Sequence, residues 1–289
     1  MEYEGMVIRP PSEARSLILQ ATFGCSHNKC NFCPTYKGVR FRIKDEERLF
    51  AEIDEMAALR PWRRVFLADG DALIIPQARL VRILDKLRTS LRGLERVGIY
   101  GNAKAVMKKS VDELRDLRSR GLGIVYFGLE SGDDATLAFI NKGRTGEQMI
   151  EAGRRVKEAG LQLSITVLLG IAGKRSREHA LATGKVLSAI DPDFVGALTV
   201  MVAPGTELWE LQEKGEWELP DEFTSLEELA LMLEHTQMSS GLFMSNHASN
   251  YVPLKVPMPG GKAEAVKLLG DMLKRRDRSE LKPEHFRAL

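Results

Sequence analysis

Three cysteines, the whole complement of the chain, fall within nine residues as Cys25, Cys30 and Cys33. The segment Gly24-Cys25-Ser26-His27-Asn28-Lys29-Cys30-Asn31-Phe32-Cys33-Pro34 has Cys-x4-Cys-x2-Cys spacing and follows an apolar run, Leu17 to Ala21. An odd number of thiols packed this closely does not build a disulfide framework. It suits thiolates that share one metal centre in a reducing compartment. Three soft sulfur ligands leave a four-iron cubane with one iron short of a protein ligand. A small molecule with an amine and a carboxylate would chelate that iron and receive an electron from the cluster. Zinc held by the three thiolates and His27 is the competing arrangement. Unligated core cysteines fit less well, because Ser, His, Asn and Lys surround them.

The elements that must position this loop are legible as alternation. Apolar runs rich in Val, Ile and Leu at about 17–21, 65–68, 97–100, 123–129, 163–169 and 194–202 read as strands. Amphipathic stretches at about 44–58, 77–90, 110–120, 146–159 and 176–189 read as helices, and Gly121 and Gly160 stand where a helix stop is expected. Strand-helix alternation predicts an α/β fold, a partial parallel (βα)6 barrel over residues 1–205. In such a barrel reactive groups gather where strands end. Each run is followed there by polar or glycine-containing residues: the cysteine loop, Asp69-Gly70-Asp71, Gly101-Asn102, Glu130-Ser131-Gly132, Gly170 and Ala203-Pro204-Gly205. From about residue 206 to 289 the alternation gives way to a helical extension with a Pro/Gly segment, 253–261, and a basic terminal helix from about Lys262.

Composition narrows the partners. The chain has 289 residues, 44% of them hydrophobic, enough for a sizeable core. Forty-two Lys and Arg against 40 Asp and Glu give a net charge of +2, so nucleic acid is possible but not indicated. Acidic residues at the N-terminus and the lack of a long apolar stretch predict a cytoplasmic protein with no membrane association.

The cysteine loop resembles that of the radical S-adenosylmethionine (SAM) superfamily, whose usual motif is Cys-x3-Cys-x2-Cys with an aromatic residue, here Phe32, before the last cysteine. The extra residue between the first two cysteines is also found in iron-sulfur oxidoreductases similar to the cores of methylthiotransferases and anaerobic coproporphyrinogen oxidases. The resemblance covers about residues 15–205. It implies that Cys25, Cys30 and Cys33 hold a [4Fe-4S] cluster and that SAM binds at the strand ends. Gly70 and Asp71 would hold the methionine amino group, and Asn102 would make a polar contact. Glu130, with Ser131 in the Gly-Leu-Glu-Ser-Gly string, would meet the ribose, and Lys142 the methionine carboxylate. Thr166 matches a ribose position, while Leu168 and Ala203 fall in the segments that pack the adenine. A flavodoxin- or ferredoxin-like donor would reduce the cluster. Reductive cleavage of SAM would then give a 5′-deoxyadenosyl radical that takes hydrogen from an unidentified, small-molecule substrate.

In the extension, Met244 to Tyr251 is a polar cluster from which His247 and Tyr251 would serve substrate binding or proton transfer. Tyr36, Lys37, Arg40 and Arg42 form a basic aromatic strip whose default is a solvated face. Two other readings remain: a tRNA-modifying radical SAM enzyme, and a noncatalytic iron-sulfur or zinc redox-sensing module.

Overall fold

Short β-branched runs form buried strands, and the amphipathic stretches between them form the helices of the other layer. The computed structural model describes residues 1–288 and has an α/β fold with a mostly parallel sheet of eight strands. It divides into two compact units, each taken here by itself.

The first unit comprises residues 1–28, 35–127 and 155–163. Strand β1 (Leu17–Gln20) leads into β2 (Thr22–Phe23), which pairs antiparallel with β3 (Arg42–Ile43). Then come α1 (Glu46–Leu59), β4 (Arg64–Ala68), α2 (Gln77–Ser90), β5 (Arg96–Gly101), α3 (Ala103–Met107), α4 (Val111–Ser119) and β6 (Leu122–Glu130). Strands β1, β4, β5 and β6 pair in that order, all parallel, with Leu17 opposite Val65, Val65 opposite Val97 and Ile99 opposite Val125. Local chemistry sets the helix starts. Asp45 accepts a hydrogen bond from Arg48 N, and Ser110 with Glu113 forms a reciprocal capping box. Beside β1 the Gln20 amide pairs both ways with the backbone of Glu4 at 2.9 Å, and Tyr3 donates to Ile18 O, so the N-terminal segment covers backbone that an edge strand would expose.

The second unit comprises residues 29–34, 128–154 and 164 onward. It holds α5 (Asp134–Phe139), α6 (Gly146–Glu158), β7 (Gln162–Leu169), α7 (Ser176–Ile190), β8 (Phe194–Thr199), α8 (Glu207–Glu213) and α9 (Glu222–His235). Strands β9 (Leu242–Met244) and β10 (Lys255–Pro257) and helix α10 (Lys262–Arg275) follow. Strands β7, β8 and β9 are parallel, and β10 closes antiparallel on β9. Helix α7 packs on α9 and α9 on α10. A side chain at Gly184 would meet His235 backbone at 2.9 Å, which is why the α7–α9 crossing takes glycine there.

The six strands and five helices expected of the first two thirds are present. Short helices α3 and α5 were not foreseen, and the sixth strand stops at Thr199 rather than Val202. The extension is helical but also carries β9 and β10. Three residues each are too few to show a period, so neither stood out from loop.

Lys44 and Glu52 form a buried ion pair, 2.7 Å between Nζ and Oε2, with side chains 1% and 7% exposed. Removing one partner strands the other charge. Lys44→Ala should therefore lower stability by about 3–5 kcal/mol, whereas the double replacement Lys44→Met with Glu52→Leu should recover most of the loss in urea unfolding.

Candidate active site

In the first unit the site is built around two aspartates at the end of β4. Asp69 is buried with both oxygens engaged: Oδ1 accepts from the Tyr36 hydroxyl at 2.5 Å, and Oδ2 accepts from Gln20 Nε2 at 3.1 Å and Gly24 N at 3.3 Å. Burial raises its pKa, and these three donors oppose the rise. One carboxylate thus ties the end of β1, the residue before Cys25 and the segment after the cysteines to β4. Gly70 is forced. A Cβ there would lie 2.6 Å from the Tyr36 ring and 2.9 Å from Cys25 Cβ. The close approach that its glycine permits is therefore made to the cysteine loop itself.

Asp71 is fully buried but only half satisfied. Its Oδ2 accepts from the Ser26 hydroxyl and from Asn102 Nδ2 at 2.9 Å, and the backbone N–H of Asn102 also favours the charged carboxylate, while Oδ1 has no partner in hydrogen-bond geometry. Burial pushes its pKa up to about 6. The Asn102 amide is committed at both ends, because its oxygen accepts from Ala105 N at 2.9 Å and caps α3. Its work is to hold Asp71. Ser26, next to Cys25, was not anticipated, and no sequence signal distinguishes a serine in this role from any loop serine.

In the second unit Cys30 and Cys33 flank Asn31, which is buried. Asn31 N donates to Ile140 O at 3.2 Å, its side chain donates to Phe139 O at 2.8 Å, and its own carbonyl accepts from Leu208 N at 3.1 Å. This asparagine pins the cysteine segment to the end of α5 and the start of α8, a role that sequence reading missed. Phe32 is half-buried beside it.

Strand β6 ends in a strained turn. Glu130 has φ of 64°, unusual for a residue with a side chain, and its Oε1 lies 2.8 Å from Lys142 Nζ, both side chains being 12% exposed. A Cβ at Gly128 would fall 2.4 Å from Glu130 Oε1 and 3.1 Å from Lys142 Nζ, so the ion pair lies directly over bare backbone. The two residues expected to meet opposite parts of SAM are thus paired with each other. Ser131 is buried, its Oγ 2.7 Å from His179 Nδ1. On β7 and β8 the less-buried positions alternate, and the register sets Thr166 opposite Gly196 and Leu168 opposite Leu198. Thr166 therefore shares a half-open face with a position bearing no side chain. Ala203 offers its carbonyl to Thr206, the cap of α8.

His247 and Tyr251 lie in the loop between β9 and β10. His247 Nδ1 accepts from Ser249 N at 3.2 Å and lies 2.9 Å from Ser249 Oγ. Burial, with Lys282 nearby, holds its pKa below the usual value. The Tyr251 hydroxyl donates to Glu284 Oε2 at 2.9 Å and accepts from Arg287 Nη1 at 2.6 Å, and the guanidinium stacks 4.2 Å from its ring. Tyr251 fastens the C-terminal segment to this loop.

The radical SAM superfamily model matches residues 19–181, and the chain belongs to that superfamily. The superfamily's cofactors, a [4Fe-4S] cluster and SAM, are those of this chain. The sequence is similar to an uncharacterized protein of Methanocaldococcus jannaschii, 23% identical over 269 residues, covering 88% of this chain and 82% of that one. It is also similar to a tRNA-2-methylthio-N(6)-dimethylallyladenosine synthase of Dehalococcoides mccartyi, 28% identical over 220 residues, covering 70% of this chain and 49% of that one. The fold is similar to that of coproporphyrinogen III oxidase from Escherichia coli, with a TM-score of 0.59, 18% identity, and coverage of 76% of this chain and 53% of that one. The chain thus spans about half the length of each of the last two.

The residues suit these cofactors in their chemistry. None of the three half-exposed cysteines is in a disulfide. Among the described residues no three His, Cys, Asp or Glu side chains are already gathered as a metal-binding group, so the fit lies in the donor types. The unpartnered Asp71 oxygen is an acceptor awaiting a donor, as the methionine ammonium would be.

With its folded-state pKa of about 6 above the ordinary 3.8, Asp71 favours the fold while protonated, and that contribution is lost as pH rises through 6. Asp71→Asn keeps the shape without the charge. It should be more stable than wild type at pH 8 by on the order of 2 kcal/mol, the gap closing toward pH 4 in denaturant titrations.

Proposed function

We propose that the protein is a radical SAM enzyme acting on a small-molecule substrate, with Cys25, Cys30 and Cys33 as the cluster ligands. The observation that carries this reading is Asp71, a buried carboxylate with one vacant oxygen, braced by the residue that follows Cys25. When bound, the cluster and SAM supply a one-electron cleavage of the sulfonium to methionine and a 5′-deoxyadenosyl radical, which takes a hydrogen atom from the substrate.

The chain's own part is binding and orientation. Asp71 accepts the methionine ammonium at Oδ1, where a cation both fills the vacancy and favours the charged form that burial opposes. Lys142 supplies a cation to the methionine carboxylate while Glu130 turns to the ribose hydroxyls, an exchange that opens their mutual ion pair. Thr166, half-buried, and Leu168, 8% exposed on the same face of β7, pack against the nucleoside. A flavodoxin- or ferredoxin-like protein delivers the electron, in the reducing cytoplasm that thiols outside any disulfide suit. No helix among the described residues is long and apolar enough to cross a membrane. A small-molecule substrate is preferred to tRNA because Lys274 and Arg275 at the end of the basic helix α10 are paired with Asp271 and Glu280.

Anaerobically reconstituted protein given dithionite and SAM should release 5′-deoxyadenosine and methionine, and Cys30→Ala should abolish the product, because two thiolates do not hold a cubane. A loaded protein that binds SAM yet forms no 5′-deoxyadenosine, with physiological reductants and cell-extract metabolites supplied, would exclude this chemistry. Lys142→Ala should weaken SAM binding about tenfold with iron content unchanged, as expected for the loss of one charge-assisted contact. Equal affinity by equilibrium dialysis would leave Lys142 as the internal partner of Glu130 alone.

A further inference from the structure

Helix α7 carries a histidine that no part of the proposed chemistry uses. His179 is fully buried, as are Ser131 and Thr183, and Glu228 is 1% exposed. Its Nδ1 stands 2.7 Å from Ser131 Oγ and 3.4 Å from Thr183 Oγ1. On the other side its Nε2 lies 3.2 Å from Oε1 of Glu228, on α9, out of line for a hydrogen bond. The chain of contacts continues at both ends. Ser131 Oγ accepts from Asp133 N at 3.0 Å, Thr183 Oγ1 accepts from Gly132 N at 2.8 Å, and Glu228 Oε1 accepts from Gly170 N at 2.8 Å. One imidazole therefore links the turn after β6, residues 131–133, to the turn after β7 at Gly170.

We propose that His179 is a positioning residue for SAM, fixing the spacing of these two turns so that Glu130 and the end of β7 address the nucleoside together. This rests on the reading of both turns as SAM contacts. Three features favour it over simple core packing. Burying an imidazole and a carboxylate costs stability that apolar residues of the same volume would not. Glu228 accepts directly from the amide of Gly170, and the imidazole contacts the two hydroxyls, of Ser131 and Thr183, that accept from the amides of Asp133 and Gly132. The turns leave no slack, for a Cβ at Gly132 would meet Ala182 O at 2.6 Å, and Gly170 has φ of 81°. With the ring proton on Nε2, Nδ1 accepts from the Ser131 hydroxyl and Nε2–H faces the Glu228 carboxylate.

The two ring nitrogens can be tested separately. His179→Asn places an amide where Nδ1 was and keeps the Ser131 link, whereas His179→Gln reaches the Nε2 position and keeps the Glu228 link. His179→Phe removes both with little change of volume. On reconstituted full-length protein with matched iron content, SAM affinity should fall at least tenfold in His179→Phe and less in the Asn and Gln variants. Ser131→Ala removes the same Nδ1 link, so added to His179→Phe it should weaken SAM binding less than it does in the wild-type background. Melting temperatures are measured in parallel, and if the Phe variant does not fold, the Asn and Gln variants against wild type decide. Wild-type affinity in folded, cluster-loaded variants would overturn the proposal. Wild-type protein that binds no SAM would instead overturn the underlying reading, and this inference with it.

Discussion

The Asp69 carboxylate spends both oxygens on holding a loop in place. Its bonds to Gln20, Gly24 and Tyr36 reach the end of β1, the residue before Cys25 and the return of the chain after the cysteines. Loop backbone at the end of a parallel sheet has no neighbouring strand to pair with, so a buried side chain must satisfy it. Asp69 does so for the cysteine segment on the side of the first unit, and Asn31 for the segment in the second. The glycines at 24 and 70 follow from this tightness, since a side chain at Gly70 would strike Cys25 and Tyr36.

Two residues along, the same chemistry is left unfinished. Asp69 and Asp71 are both buried and both have raised pKa values with burial as the leading cause. Asp69 meets three donors shared between its two oxygens, while Asp71 has its donors on one oxygen and none on the other. Structure alone would favour completing the second carboxylate or replacing it with an amide. A vacant acceptor at a strand end beside the cysteine loop is the kind of unsatisfied buried atom that a bound cationic donor would complete.

Much of this was legible in the sequence, for reasons that can be named. Runs such as Val65 to Ala68 and Leu163 to Leu169 are long enough to show a strand, and glycine and acidic residues after them mark the strand ends. The cysteine spacing and the Gly-Leu-Glu-Ser-Gly string identify the superfamily without geometry. What stayed hidden depends on distance along the chain. The pairing of Glu130 with Lys142 crosses eleven intervening positions, and His179 meets Glu228 across one strand and one helix. Neither leaves a periodic trace. The partners of Tyr251 were hidden in the same way, since its hydroxyl meets Glu284 and Arg287 more than thirty residues along the chain. Strands β9 and β10 escaped because a three-residue strand carries too little pattern.

The buried polar atoms that lack partners show where stability has been given up. An unsatisfied buried donor or acceptor costs about 1–3 kcal/mol. Some of these atoms belong to long side chains at the periphery, such as Arg79 Nε and Gln77 Oε1, where the same side chain makes other bonds. Others lie at a strand end or on the cysteine segment, Asp71 Oδ1 and Asn31 Oδ1, or on helices α7 and α9, His179 Nε2 and Glu228 Oε2, the other Glu228 oxygen accepting from Gly170 N. Asn31 cannot simply be turned over, because its amide nitrogen is already donated to Phe139 O. Each of these atoms sits on a residue that also holds a loop by its remaining bonds. Incomplete satisfaction is thus coupled to positioning.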